Sequence, residues 1–123
     1  MLADQLDLIN EQILESDRRI LTNARSADVG RRLMEIPGVG PVLANAVVAT
    51  VADPAVFKSG RNLAAWVGLV PRQNSSGGKE RLGRITKMGD RYLRKLLFVG
   101  MMSLVRRAKN KPESVDPRLI DLL

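Results

Sequence analysis

From Arg91 to Ala108 the apolar positions Leu93, Leu96, Leu97, Gly100, Met101, Leu104 and Ala108 keep helical spacing. They line one face of an α-helix and cannot line one face of a strand. A stripe of that length needs a covering surface. Asp90 precedes it, where a carboxylate can accept from the N–H groups of the first turn. A second stripe, Leu2, Leu6, Ile9, Ile13, Ile20 and Ala24, predicts a helix over 2–24, with one skipped step near Ser16. Asp7, Glu11, Glu15, Arg18 and Arg19 fall largely on its other side, and Leu8, Leu14 and Leu21 widen it. A period of about 3.5 residues fits a coiled-coil seam, and so short a run fits a helix packed on its own domain as well. In both cases the exposed leucine calls for a second helix, for which a second copy of the chain is one source.

Proline and glycine punctuate the middle. Residues 25–29 are small and polar and predict a break. Arg31 to Glu35 predicts a short helix that stops at Ile36-Pro37-Gly38-Val39-Gly40, because Pro37 cannot continue it and both glycines admit positive φ. Pro41 suits the first position of a further helix. That helix carries Val42, Leu43, Ala46, Val47 and Ala49 to about Val51, before Asp53-Pro54 ends it. Ser59 predicts the cap of a helix over Gly60–Val67. Gly68 to Gly89 is rich in glycine and long for a plain connection, which points to function or disorder. Short strands fit around Leu69-Val70 and Arg84-Ile85. Lys109 to Asp116 reads as a polar tail, and Arg118 to Leu123 begins an apolar pattern that stops within half a turn, as in a truncated chain.

Several function classes are excluded. Cysteine and histidine are both absent, so there is no disulfide scaffold, no thiolate or imidazole metal site, and no Ser-His-Asp triad. Aromatics are only 3%, so the core must be aliphatic. No apolar run approaches the roughly 18 residues of a membrane span, and the N-terminus lacks a signal-peptide pattern. The cytoplasm is the default location.

The net charge of +7 is unevenly spread. Residues 1–57 hold five basic and eight acidic side chains, whereas residues 58–111 hold fourteen basic and two acidic ones. A foldable segment of that charge suits a polyanionic partner better than it suits water alone.

Three motifs sharpen this. The run Leu33-Met34-Glu35-Ile36-Pro37-Gly38-Val39-Gly40-Pro41-Val42-Leu43-Ala44 has the pattern of a helix-hairpin-helix. Gly38, Val39 and Gly40 would bring backbone close to a phosphate, with N–H groups of the next helix pointing at it. Such a contact reads no base sequence, and an ordinary helix connection is the plainer alternative. The run Gln73 to Lys87 joins Ser75-Ser76-Gly77-Gly78 to Lys79, Arg81, Arg84 and Lys87. A bare loop of this kind is usually only solvated. Its functional reading is a serine nucleophile for a phosphodiester, with guanidinium groups from Arg72, Arg81, Arg84, Arg91 and Arg94 stabilising the crowded phosphorus. Finally, Arg91, Arg94 and Lys95 are three and four residues apart and predict a phosphate-facing ridge. Cations at a helix start oppose its dipole, which an anion would relieve. Tyr92 is expected to pack rather than stack on a base.

These residues are recognisable together. Ile36-Pro37-Gly38-Val39-Gly40, Asn62 to Pro71, Ser75-Ser76-Gly77-Gly78-Lys79, Gly83 to Asp90 and Leu93-Arg94-Lys95-Leu96-Leu97 occur in order. The chain resembles, over roughly residues 30–111, the C-terminal domain of the DEDD-type insertion-sequence transposases, also called bridge-RNA-guided recombinases. The resemblance implies a serine that becomes joined to a DNA 5′ phosphate, here Ser76 with Ser75 the fallback. It implies DNA, a guide RNA and further copies of the chain as partners, with the N-terminal helix resembling one arm of a coiled coil. It also implies a nuclease domain bearing four metal-binding carboxylates, which this sequence does not contain, so magnesium is expected only with that domain and the fragment alone is expected to be inactive. The expected fold is all-α. It comprises a coiled-coil-like helix over 1–28, a helical domain over 29–111 with a helix-hairpin-helix and a long basic loop, and a truncated segment over 112–123. The competing readings are a non-catalytic DNA- or RNA-binding module, in which both serines are replaceable, and a dimerisation domain built on the first helix.

Overall fold

The computed structural model describes residues 1–73 and 82–122. Its elements are α1 (Leu2–Ser26), α2 (Asp28–Met34), α3 (Pro41–Thr50), a 3₁₀ turn (Pro54–Val56), α4 (Gly60–Val67), β1 (Pro71–Gln73), β2 (Leu82–Ile85), α5 (Arg91–Asn110), a second 3₁₀ turn (Pro112–Ser114) and α6 (Pro117–Ile120). The fold is mainly α, as expected.

The caps read from sequence form as hydrogen bonds. Ser59 Oγ accepts from the Asn62 N–H at 3.3 Å, and Asp90 Oδ1 accepts from the Leu93 N–H at 2.8 Å. Each satisfies a donor that the first helical turn cannot. The expected break over 25–29 is narrower than predicted. Ala27 alone is extended, and α2 starts at Asp28 rather than Arg31. Gly30 explains the sharp corner: it is buried, and a side chain there would collide with the Ala24 carbonyl.

Leu43 of α3, Val67 of α4 and Leu93 of α5 form the buried centre, with Val39, Ala46, Val47, Leu96 and Leu97 packed against them. The core is aliphatic, and the Phe57–Trp66 ring pair, 5.5 Å between centroids, is not part of it. Only the end of α1 joins this body. Ala24 is buried, Ile20 and Leu21 are half-buried, and Asn45 Nδ2 donates to the Ile20 carbonyl at 2.7 Å. Toward its start Leu2 is 78% exposed, and Leu6, Ile9 and Ile13 lie between 50% and 60%.

The stretch expected to be mostly loop contains a two-stranded antiparallel ribbon, β1 with β2, in which Pro71 faces Ile85 and Gln73 faces Leu82 with an irregularity between. The first strand starts at Pro71 rather than Leu69. Below the ribbon the Thr86 N–H donates to Val70 and the Lys87 N–H to Gly68, both at 3.0 Å. The expected polar tail is also folded: α5 runs on to Asn110, a 3₁₀ turn packs on it, and Val115 is 7% exposed. Asp116 then caps α6 through the Arg118 N–H. Among the described residues no helix is long and apolar enough to cross a membrane.

Candidate nucleic-acid interface

The glycine turn between α2 and α3 is held by the Val39 N–H donating to Ile36 at 3.0 Å. Gly38 has φ +85, the left-handed region that disfavours side chains. Gly40 does not share this trait, contrary to expectation. It is extended at φ −96 as the N-cap of α3, and a Cβ there would meet open space. Gly40 therefore keeps the approach to α3 uncrowded rather than shaping the turn. The Ala44 N–H donates back to Gly40. Among the described residues nothing accepts from the N–H groups of Val42 and Leu43 through the backbone bonds of the turn.

The turn rests on the middle of α5. A Cβ on Gly100 would strike the Gly38 carbonyl oxygen, and one on Gly38 would lie 3.2 Å from the Gly100 oxygen. The two backbones thus touch without side chains between them. Beside this seam lies a cleft of about 400 Å³ lined by Gly38, Gly40, Gly100, Ser103, Leu104 and Arg107. Ser103 and Arg107 also line a neighbouring concavity of about 310 Å³, together with Arg106, Asn110 and Lys111.

The predicted basic ridge divides. Arg91 and Lys95 are exposed, as a ligand-facing pair requires. Arg94 is half-buried, and its Nη1 donates to the Val67 carbonyl at 3.0 Å and to the Gly89 carbonyl at 3.4 Å. It ties the C-terminus of α4 to the loop before α5. Gly68, the left-handed cap of α4, and Gly89, at φ +117, let these two backbones meet. Tyr92 is 57% exposed, so it does not pack as expected. Arg72 on β1 donates to the Thr86 carbonyl at 3.4 Å, and Arg84 on β2 and Lys87 after it are exposed. Ser75, Ser76, Lys79 and Arg81 lie outside the described residues.

The described residues contain three ion pairs, Met1–Asp4, Glu15–Arg19 and Asp28–Arg31. None involves a cation from 58 onward. Nor do the described residues bring three carboxylates together. Sequence spacing missed Ser103 and Arg107. Both stand on α5 within reach of the Gly100 face, three and seven residues on, but only the docking of Gly38 onto that face reveals it.

Residues 30–115 match the description "Transposase IS116/IS110/IS902 family". A "Probable family 20 transposase" of Pseudomonas aeruginosa is 43% identical over 122 residues, covering 99% of this chain and 36% of its own length. The "Transposase for insertion sequence element IS1111A" of Coxiella burnetii is 41% identical over 87% of this chain and 30% of its own length. The "Transposase for insertion sequence element IS1328" of Yersinia enterocolitica is 40% identical over 71% of this chain and 26% of its own length. The chain thus spans about a third, or less, of the curated relatives it matches. No solved structure is significantly similar to it. With 86 consecutive residues, 30–115, inside the family's pattern, the chain belongs to the IS116/IS110/IS902 transposase family.

Proposed function

We propose that this chain is the DNA-binding, serine-bearing part of an insertion-sequence transposase. The observation that carries the reading is the surface set of cations that no described carboxylate neutralises, placed within the family-matching segment. Arg72, Arg84, Lys87, Arg91 and Lys95 contact the sugar-phosphate backbone, and the Gly38-Val39-Gly40 turn clamps a further phosphate. Lys79 and Arg81, which lie outside the described residues, supply further cations of the same basic segment.

Ser76 is the nucleophile, with Ser75 the alternative. Its oxygen attacks a DNA phosphorus, an ester to the 5′ phosphate forms, and the bond to the 3′ oxygen breaks, releasing a 3′-hydroxyl that takes the proton. Guanidinium groups stabilise the charge that builds on the phosphoryl oxygens. Carboxylates from outside these residues would hold magnesium and would supply the metal-dependent half of the chemistry, so the isolated chain is expected to bind but not to recombine. The exposed stripe of α1 seats a second helix, as in a homo-oligomer, and a guide RNA is the second polyanion.

The test has two parts. Binding to a DNA duplex should weaken steeply with salt, since each neutralised phosphate releases counterions. In a longer protein that carries the missing carboxylates, Ser76→Ala should leave binding intact and abolish covalent adducts. If both serines are replaceable without effect on recombination, the chain is a binding module only. If Ser75→Ala alone abolishes adducts, the nucleophile is Ser75.

A further inference from the structure

Arg107 and Ser103 stand outside the basic set that sequence spacing picked out, yet they face the glycine turn. Gly100, Leu104 and Arg107 are four and three residues apart and share one side of α5. Because Gly38 and Gly100 touch backbone to backbone, that side approaches the turn closely and leaves the 400 Å³ cleft beside the seam. Among the described residues its lining offers a guanidinium and a hydroxyl, and no carboxylate. The adjoining concavity adds Arg106 and Lys111, again with no carboxylate among the described residues. A concave site of one charge sign concentrates the opposite charge, and an arginine fork grips two phosphate oxygens at once.

We propose that this cleft binds a phosphodiester of a nucleic-acid backbone, gripped by Arg107, that the Ser103 hydroxyl, which donates to the Val99 carbonyl at 3.0 Å, exchanges that bond for one to the phosphate, and that the strand leaves the cleft past Arg106 and Lys111. The proposal rests on the nucleic-acid reading above and deepens it, adding Arg107 and Ser103 of α5 to the phosphate contact of the Gly38-Val39-Gly40 turn. Arg107 is sixteen residues beyond Arg91 on the same helix, or about 24 Å at the 1.5 Å rise per residue.

A cation in the last turn of a helix also complements the helix dipole, with no ligand involved. Lys109 does this equally but lies nine residues beyond Gly100, two and a half turns at about 3.6 residues each, and so faces away from the cleft. The comparison is therefore Arg107→Gln against Lys109→Gln. Binding is measured by fluorescence anisotropy with a labelled DNA duplex and a labelled RNA hairpin across a salt series. Arg107→Gln should weaken binding about tenfold and lower the slope of log affinity against log salt by about 1. Lys109→Gln should stay within about twofold. Ser103→Glu, which puts a carboxylate in the cleft, should weaken binding further, with unchanged helical circular dichroism showing that the fold persists. Loss on the duplex alone assigns the cleft to DNA, loss on the hairpin alone assigns it to RNA, and loss on both marks a general backbone contact. Equal effects of the two glutamine variants, or none from either, would overturn the cleft. If the unmodified chain binds neither polymer at low salt, the nucleic-acid reading itself fails.

Discussion

Replacing Arg94 decides whether the first turns of α5 serve the fold or the ligand. Val67 is 2% exposed, and its carbonyl is one of the groups that α4 cannot satisfy internally. Arg94 Nη1 reaches it at 3.0 Å, while the 3.4 Å approach to Gly89 is near the limit of a useful bond. A hydrogen bond from a charged donor is worth about 1.5–3 kcal/mol. Arg94 is only half-buried, so water recovers part of that, and Arg94→Ala should cost about 1–2 kcal/mol. For a chain of this size that lowers the melting temperature by about 4–10 °C. Lysine keeps the charge but presents it on a more strongly hydrated, less preorganised head group, so Arg94→Lys should recover roughly half of the loss. Arg91 is exposed with no described partner, and Arg91→Ala should change stability by less than about 0.5 kcal/mol while weakening nucleic-acid binding. Thermal melts and anisotropy titrations of the three variants make the comparison. If Arg94→Ala melts with the unmodified chain and loses binding as Arg91→Ala does, the assignment of Arg94 to the α4–α5 junction is wrong.

Gly89→Ala places a Cβ against the Trp66 carbonyl oxygen at φ +117 and should destabilise by about 3 kcal/mol or more in urea titration. Gly60→Ala, where nothing lies within 4 Å, should instead leave stability unchanged or raise it by about 0.5 kcal/mol. Asp90→Ala removes the cap of α5 and should cost about 1 kcal/mol by the same assay, with Asp90→Asn restoring most of it. Asn45→Ala frees the Ile20 carbonyl and should speed amide exchange at the end of α1 with about 1 kcal/mol lost. Ile9→Glu with Ile13→Glu should shift the sedimenting species toward monomer; an unchanged distribution would remove α1 as the pairing surface.

The start and stop chemistry of this chain was legible because it is local. Ser59, Asp90, Pro41 and Gly68 act within one turn of their own position, so their types and spacing suffice. The ribbon was half legible. Arg84 and Ile85 were placed in a strand, but its partner starts at Pro71, because register depends on which backbone groups the α4 cap leaves facing it. The basic residues were the least legible. Spacing puts Arg91, Arg94 and Lys95 near one another, yet it does not say which edge of α5 abuts α4. Arg94 stands on that edge and turns inward. Arg107 is the reverse case: spacing leaves it outside the basic ridge, and only the docking of the glycine turn two turns before it brings it to a cleft. Val115 was hidden for a related reason, since a single apolar residue in a polar stretch has no periodicity to announce its burial.

The contact between Gly38 and Gly100 has a consequence for how this sequence can drift. In an ordinary core contact an enlarged residue is tolerated when its neighbour shrinks, and sequences wander by such exchanges. Here neither neighbour has a side chain to give up, and the opposing atoms are main-chain oxygens. A methyl gained at position 100 has no second-site remedy short of lifting the turn off the helix, which would open the cleft and separate Arg107 from it. The two positions are therefore locked together with no compensating partner, and inheritance can only keep both or rebuild the junction.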